Sequence, residues 1–162
     1  MIDFGRELDS SEGIHCMENS PYTDDAELTY PIEGEYLITK RRYSAFFGTD
    51  LEILLKGLHV DTLYLIGGLT DVCIHYTAVD AHQRDYHIWV VTDAVAGSSE
   101  DAHRYALKAI QYLQRDALIT AADIENEGRS TCETTPLKKR ILSAPLYSPI
   151  AGQGAGDMAA AC

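Results

Sequence analysis

Short apolar segments alternate with amphipathic segments between residues 35 and 123. Apolar runs rich in strand-forming residues lie at 36–39, 62–66, 86–91 and 117–120. An uninterrupted apolar run is typical of a strand that is buried on both faces of a parallel sheet. The alternation therefore predicts βαβ units, and with them an α/β fold built on a parallel sheet.

Three segments between the predicted strands carry apolar residues at helical spacing. The first helix is predicted to open with a capping box at residues 49–52, to carry Leu51, Leu54, Leu55 and Leu58 along one face, and to end at Gly57. The second helix is predicted to begin directly after Thr70 or Asp71 as N-cap. The third begins after Ser98 or Ser99 and has the clearest apolar stripe, formed by Ala102, Tyr105, Ala106, Ala109, Ile110 and Leu113.

Cys73 stands where a buried strand passes into a helix. Two glycines end the strand, and Thr70 or Asp71 as N-cap would place Cys73 near the third helical position. The N–H groups and dipole at a helix N-terminus favour an anion, so this position suits a thiolate nucleophile and a developing oxyanion. Taken alone, the segment is equally compatible with a small buried cysteine that has only a packing role.

Lys40 follows the predicted strand 36–39, and Cys73 follows the strand 62–66. The right-handed crossover rule brings the two residues together at the carboxyl edge of adjacent parallel strands, where open α/β sheets place their ligand crevices. The sequence therefore predicts a candidate site formed by these two side chains.

The charge of the chain excludes some classes of partner. The 162 residues carry a formal net charge of -12, which disfavours binding to nucleic acid and to anionic membranes. No apolar run approaches the roughly 18 residues of a membrane span, and the N-terminus lacks the order of a signal peptide. The four cysteines, at 16, 73, 132 and 162, form no CxxC pair. We therefore expect a cytoplasmic protein with reduced thiols and a small-molecule or protein partner.

The domain organisation follows from composition. Residues 1–126 are predicted to form one domain, with 1–34 as an irregular arm that includes one short helix around residues 24–28. Residues 127–162 are rich in Ser, Thr, Pro, Gly and Ala without a helical or strand period, which predicts a mostly disordered tail.

Three runs of residues resemble the isochorismatase-like cysteine hydrolases, a superfamily that includes nicotinamidases, N-carbamoylsarcosine amidases, biuret hydrolases and ureidoacrylate amidohydrolases. The runs are KRRYSAFFGTDL at 40–51, GGLTDVC at 67–73 and DAVAG at 93–97. The resemblance extends over residues 13–124. It implies a Rossmann-like fold with three αβα layers, a homo-oligomer, and hydrolysis of small amide or ureido compounds without a cofactor.

The resemblance also implies roles for individual residues. Cys73 corresponds to the nucleophile and Lys40 to the lysine of a Cys–Lys–Asp triad. A cis peptide bond is implied between Gly68 and Leu69, and the N–H groups of Leu69 and Cys73 would form the oxyanion hole. The cysteine would attack the carbonyl carbon, release ammonia, and leave an acyl- or carbamoyl-enzyme for water to cleave.

The third triad member has no counterpart at the family's position, because only 39 residues precede Lys40. The N-terminal part of the family pattern, with one central strand, is therefore expected to be missing. Three explanations remain open: a truncated gene model or fragment, a degenerate non-catalytic relative that acts through protein association, or an aspartate such as Asp3 supplied by rearrangement. His15 matches a metal ligand of nicotinamidases, but its partner ligands would lie in the missing part, so no metal is predicted.

The substrate pocket is predicted from aromatic residues that follow Lys40. Tyr43, Phe46 and Phe47 are candidate walls, since ligand sites are mostly apolar. Ordinary core packing explains each of them equally well. Arg41 and Arg42 suit either an anionic substrate group or a solvated loop. The histidines at 75, 82, 87 and 103 are expected to be packing or solvated residues.

Overall fold

A computed structural model describes residues 30–126 and the three residues Ala159–Ala161. These residues form a four-stranded sheet with helices. In chain order the elements are α1 (Leu51–Gly57), β1 (Thr62–Gly68), a π-helical turn (Thr70–Ile74), α2 (His75–His82), β2 (His87–Ala96), α3 (Glu100–Leu113), β3 (Leu118–Ile119) and β4 (Ala159–Ala161). Residues 121–126 are also helical.

The sheet has the strand order β3-β2-β1-β4, and every neighbouring pair is parallel. Leu63 lies opposite Ile88 and Leu65 opposite Val90 in the β1–β2 pair. The predicted α/β fold with a parallel sheet is therefore confirmed. In the part of the chain that the structure describes, no helix is both long enough and apolar enough to cross a membrane.

The hydrophobic core lies between the sheet and the helices. Leu63 and Leu65 of β1 and Ile88 and Val90 of β2 are buried together with apolar side chains of the helices, among them Ile74, Ala78, Ala81 and Ile110. Helices α2 and α3 contact each other, so they cover the same face of the sheet. Helix α1 adjoins this layer through the ion pair between Glu52 and Arg84, the latter just beyond α2.

The capping box predicted for α1 does not form. Asp50 is the N-cap residue and accepts no capping bond with its side chain. The Thr49 hydroxyl accepts a hydrogen bond from the Leu51 N–H at 3.3 Å. The Glu52 carboxylate binds Lys56 and Arg84 instead of turning back to the start of the helix. The Glu52 carboxylate therefore pairs with two cationic side chains, and not with the backbone N–H that a capping box would give it.

The predicted strand at residues 36–39 is wrong. This segment has no regular secondary structure, and Tyr36 and Leu37 are 54% and 72% exposed. Its apolar composition suggested a strand, but no described strand lies beside it to provide hydrogen-bonding partners. The neighbouring position along β1 belongs to β4, where Tyr64 lies opposite Ala159 and Ile66 opposite Ala161.

The strand β4 was not predicted. Residues 159–161 fall in the segment that composition marked as a disordered tail, yet they pair with β1. Three alanines have no strand-forming signature, and the pairing depends on backbone hydrogen bonds that any residue except proline can make. The rest of that segment, 127–158 and 162, lies outside the described residues, as do the arm 1–29 and its predicted helix.

The third predicted helix agrees with the structure at its start. Ser99 is the N-cap of α3, and its hydroxyl accepts a hydrogen bond from the Ala102 N–H at 3.2 Å. Of the predicted apolar stripe, Ala106 and Ile110 are buried, whereas Tyr105 is 63% exposed. The buried stripe is therefore narrower than the sequence pattern suggested.

Candidate active site

Lys40 and Cys73 meet at the carboxyl end of β1. The Lys40 ammonium donates a hydrogen bond to the Cys73 Sγ over a distance of 3.2 Å between Nζ and Sγ. Cys73 itself is partly exposed. The structure thus brings a lysine ammonium into hydrogen-bonding contact with the sulfur of a partly exposed cysteine.

Lys40 reaches the cysteine from a loop and not from a strand end. Its ammonium also donates to the Arg42 carbonyl at 3.2 Å, which folds residues 40–42 around the charged group. A little further on, the Ala45 N–H donates to the hydroxyl of Thr77, a fully buried residue of α2, at 3.0 Å. The loop is thus fixed to the helix that follows Cys73, and this attachment holds the lysine in place.

Cys73 lies in the π-helical turn between β1 and α2. The N-cap is Leu69, so the prediction of Thr70 or Asp71 is wrong by one or two residues. The Leu69 carbonyl accepts hydrogen bonds from the N–H groups of Val72 and Ile74, at 3.0 Å and 3.2 Å. Single π-helical turns occur frequently at functional sites. Cys73 is therefore the fourth residue of the helical segment, not the third.

Thr70 and Asp71 act as anchors for the turn. The buried Thr70 hydroxyl lies 2.9 Å from Nδ1 of His103 in α3. The Asp71 carboxylate accepts hydrogen bonds from the Ser98 N–H at 2.8 Å and from the Ser98 hydroxyl at 2.6 Å. The sequence analysis missed these roles of Asp71, Ser98 and His103. The sequence did contain a signal for two of them: Asp71 lies within the family-like run 67–73, and Ser98 directly follows the family-like run 93–97.

Gly97 is expected to tolerate no larger residue. A Cβ atom at this position would lie 2.7 Å from the His103 Cβ and 2.8 Å from the Asp71 Oδ1. Gly97→Ala should therefore lower the free energy of unfolding by about 1–3 kcal/mol, measured by urea unfolding. Gly57→Ala is the matched control, because a Cβ there meets no atom within 4 Å. Equal stability of the two variants would contradict the close packing described here.

The Asp71 anchor is expected to make the stability of the fold depend on pH. The hydrogen bond from the Ser98 hydroxyl lowers the pKa of Asp71 below its ordinary value of 3.8. Asp71 therefore adds to the free energy of unfolding above that ordinary value, and the addition is lost as the pH falls through the lower pKa of the folded state. Urea unfolding should show wild type more stable than Asp71→Asn at pH 6, with a smaller difference at pH 3. If the difference between wild type and Asp71→Asn were the same at both pH values, Asp71 would not be the group responsible. Asp85→Asn serves as the control, because it removes an exposed carboxylate.

An apolar groove of about 270 Å³ lies between the loop that follows Lys40 and helix α2. Of the predicted pocket residues, Tyr43 and Phe47 line it, and Arg42 lines it as well. Tyr76, one turn after Cys73, stacks on Tyr43 with ring centroids 5.5 Å apart. Phe46 is only 5% exposed and packs beside Tyr86 in the core, so it does not line the groove. Phe46 is therefore a core residue and not a wall of the pocket, which is the packing role that the sequence left open for it.

Three further features were predicted for the site: a cis peptide bond, a carboxylate partner and no metal. The peptide bond between Gly68 and Leu69 is cis, at the position that the resemblance implies. Among residues 30–126, no carboxylate hydrogen-bonds to Lys40 or Cys73, and no group of three or more His, Cys, Asp or Glu side chains is arranged to hold a metal. Asp3 and His15 lie outside the described residues.

Comparison with known proteins relates the chain to one protein family. A sequence model of the Isochorismatase domain family matches residues 7–123. Over 87 residues the chain is 38% identical to the maleamate amidohydrolase of Pseudomonas putida, a match that covers 54% of this chain and 41% of that protein. The chain spans only 39% to 45% of the length of the first curated relatives that it matches.

Solved structures resemble the fold as well. An isochorismatase-like hydrolase from Alkaliphilus metalliredigens superposes with a TM-score of 0.68 at 30% identity, covering 73% of this chain and 64% of that one. The N-carbamoylsarcosine amidase of Thermoplasma acidophilum superposes with a TM-score of 0.56 at 35% identity, covering 60% of this chain and 57% of that one.

Proposed function

Because the chain belongs to the isochorismatase family, we propose that it is a cysteine amidohydrolase that cleaves a C–N bond of a small amide or ureido compound. The observation that carries this proposal is the contact of 3.2 Å between Lys40 Nζ and Cys73 Sγ. The names of two related proteins, a maleamate amidohydrolase and an N-carbamoylsarcosine amidase, support a C–N bond as the target.

The proposed reaction begins with the thiolate of Cys73. Its sulfur bonds to the carbonyl carbon of the substrate, and the electron pair of the C=O bond moves to oxygen. The N–H groups of Leu69 and Cys73 are the proposed donors to this oxyanion. When the C–N bond breaks, nitrogen takes up the proton that the Cys73 thiol gave up and leaves as ammonia. Water then hydrolyses the thioester, which releases the acid and regenerates the thiol.

The groove lined by Tyr43, Phe47 and Tyr76 is the proposed binding site for the rest of the substrate. Arg42 lines the groove, and its carbonyl accepts a hydrogen bond from the Lys40 ammonium, which connects the groove to the Lys40–Cys73 pair. Apolar walls with few polar groups are typical of sites for small molecules. The substrate is therefore expected to carry a flat or apolar group beside its amide or ureido function.

A non-catalytic role in protein association is the second candidate. It is favoured by one observation, that no carboxylate among residues 30–126 hydrogen-bonds to Lys40 or Cys73. Within this part of the chain, no carboxylate is therefore placed to carry the thiol proton to the departing nitrogen.

Ammonia release separates the two candidates. The full chain is incubated with a panel of small amides and ureido compounds, and acid-quenched samples are analysed by mass spectrometry for an adduct on the peptide that contains Cys73. The hydrolase is expected to release ammonia with at least one compound and to carry the adduct on Cys73. A variant with alanine at positions 16, 132 and 162 should behave like wild type. If no compound gives ammonia or an adduct, the second candidate holds.

A further inference from the structure

The sulfur of Cys73 has a nitrogen group as its direct neighbour. The contact between Sγ and Lys40 Nζ measures 3.2 Å, and the second acceptor of that ammonium, the Arg42 carbonyl, is uncharged. Among residues 30–126, no carboxylate hydrogen-bonds to Lys40, so no anion in this part of the chain draws the nitrogen away from the sulfur. The structure therefore holds an amine beside a thiol, and oxidation of the sulfur can join two such groups.

We propose that Cys73 and Lys40 form a modification site, at which hydrogen peroxide converts the pair into a sulfenamide with a covalent bond between Sγ and Nζ. Cys73 is partly exposed, and exposure is one of the properties that make a cysteine susceptible to oxidation. The flexible stem of lysine allows Nζ to move from its contact distance to bonding distance. The chemistry needs only these two side chains, so it does not rest on the proposed hydrolase activity.

The modification takes place in two steps. In the first, hydrogen peroxide transfers one oxygen atom to Sγ, which oxidises the thiol to a sulfenic acid while the peroxide is reduced to water. In the second, the Lys40 ammonium gives up a proton, the electron pair of the nitrogen bonds to sulfur, and the S–O bond breaks. The departing hydroxide takes a second proton from the nitrogen and leaves as water. Relative to the uncharged amine and thiol, the product has lost two hydrogen atoms.

Two other products of an oxidised Cys73 are disfavoured by the described part of the chain. A sulfenic acid can condense with a backbone nitrogen, but the N–H of the next residue, Ile74, is hydrogen-bonded to the Leu69 carbonyl at 3.2 Å. Condensation at this nitrogen would remove that hydrogen bond from the π-helical turn. A sulfenic acid also condenses with a second thiol, yet Cys73 is the only cysteine between residues 30 and 126. The geometry therefore favours Lys40 Nζ as the partner.

Mass spectrometry of the full chain after treatment with hydrogen peroxide tests the bond directly. In a chain with alanine at positions 16, 132 and 162, the main product should be lighter than the untreated chain by two hydrogen atoms, about 2 Da. Non-reducing tryptic digestion should yield peptide 57–84 crosslinked to peptide 7–41, because trypsin does not cleave after a modified Lys40. Dithiothreitol should restore the original mass and the alkylation of Cys73 by iodoacetamide. The wild-type chain should give the same crosslink.

The variant Lys40→Met identifies the nitrogen that forms the bond. It should form no crosslink, and its Cys73 should remain a sulfenic acid, so that labelling by dimedone rises several-fold above the wild-type level. Lys56→Met removes an exposed lysine elsewhere and is expected to crosslink like wild type.

Several results would overturn the proposal. In wild type these are an unchanged mass, dimedone labelling without a crosslink, a disulfide of Cys73 in place of the crosslink, or a crosslink that retains oxygen. In Lys40→Met, a product that has still lost two hydrogen atoms would show that the sulfur bonds to a different nitrogen.

Discussion

Replacing Cys73 with alanine is expected to reduce the rate of amide hydrolysis by about 10⁴-fold or more, because the variant has no atom that can bond to the carbonyl carbon. The remaining groove and N–H donors still bind substrate, so the Michaelis constant should change much less than kcat. The measurement is steady-state ammonia release with the best compound of the panel. The loss should appear in kcat and kcat/KM alike.

A second variant separates loss of the nucleophile from loss of the fold. Cys73→Ser keeps the size of the side chain and the hydrogen bond to Lys40, but its hydroxyl is a much weaker nucleophile than a thiolate. It should unfold in urea like wild type and yet be nearly as inactive as Cys73→Ala. If Cys73→Ser or Cys73→Ala kept more than a tenth of the wild-type rate, the cysteine would not be the nucleophile, and any activity would arise elsewhere.

Replacing Lys40 with methionine is expected to slow the alkylation of Cys73 by iodoacetamide at pH 7 by about 10-fold, because the sulfur loses the ammonium group that donates to it. Methionine has nearly the same length as lysine, so the loop should keep its path. In the hydrolytic reaction the same change should lower kcat by about 10²- to 10³-fold, since both the thiolate and the charged transition state lose a stabilising partner.

The alkylation assay uses a chain in which Cys73 is the only cysteine, with alanine at positions 16, 132 and 162. Lys56→Met is the matched control, because Lys56 is an exposed lysine that pairs with Glu52 on α1. The control should react at the wild-type rate. Equal alkylation rates for Lys40→Met and the control would show that the contact of 3.2 Å between Nζ and Sγ does not activate the sulfur.

The sequence predicted the central strands well because their apolar runs coincide with burial. In β1 and β2, Leu63, Leu65, Ile88 and Val90 are all at most 2% exposed, which is the environment that an uninterrupted apolar run indicates. The same criterion failed at 36–39, since an apolar run forms a strand only where a neighbouring strand provides hydrogen-bonding partners. It missed β4 for the converse reason: the edge of β1 provides partners to three alanines that carry no pattern.

In the candidate site, too, some residues could be predicted from the sequence and others could not. Lys40 and Cys73 could be predicted because each lies in a run of residues with a recognisable resemblance and because their side chains suit nucleophilic chemistry. Asp71, Ser98 and His103 could not, since their contacts join residues 27 and 33 positions apart and depend on how β2 and α3 are placed against the π-helical turn. Ordinary polar residues acquire such roles only when the fold brings them together.

The π-helical turn also limits how this part of the chain can vary in length. The Ile74 N–H reaches back five residues to the Leu69 carbonyl, one residue further than in an α-helix. Deleting one residue from 70–74 would allow the turn to close as a regular α-helix, and each residue in such a helix rotates the next by about 100°. The deletion would therefore change the direction in which the Cys73 side chain points relative to the anchored face of α2. Insertions and deletions in this turn are expected to be harmful for that reason, in contrast to those in surface loops.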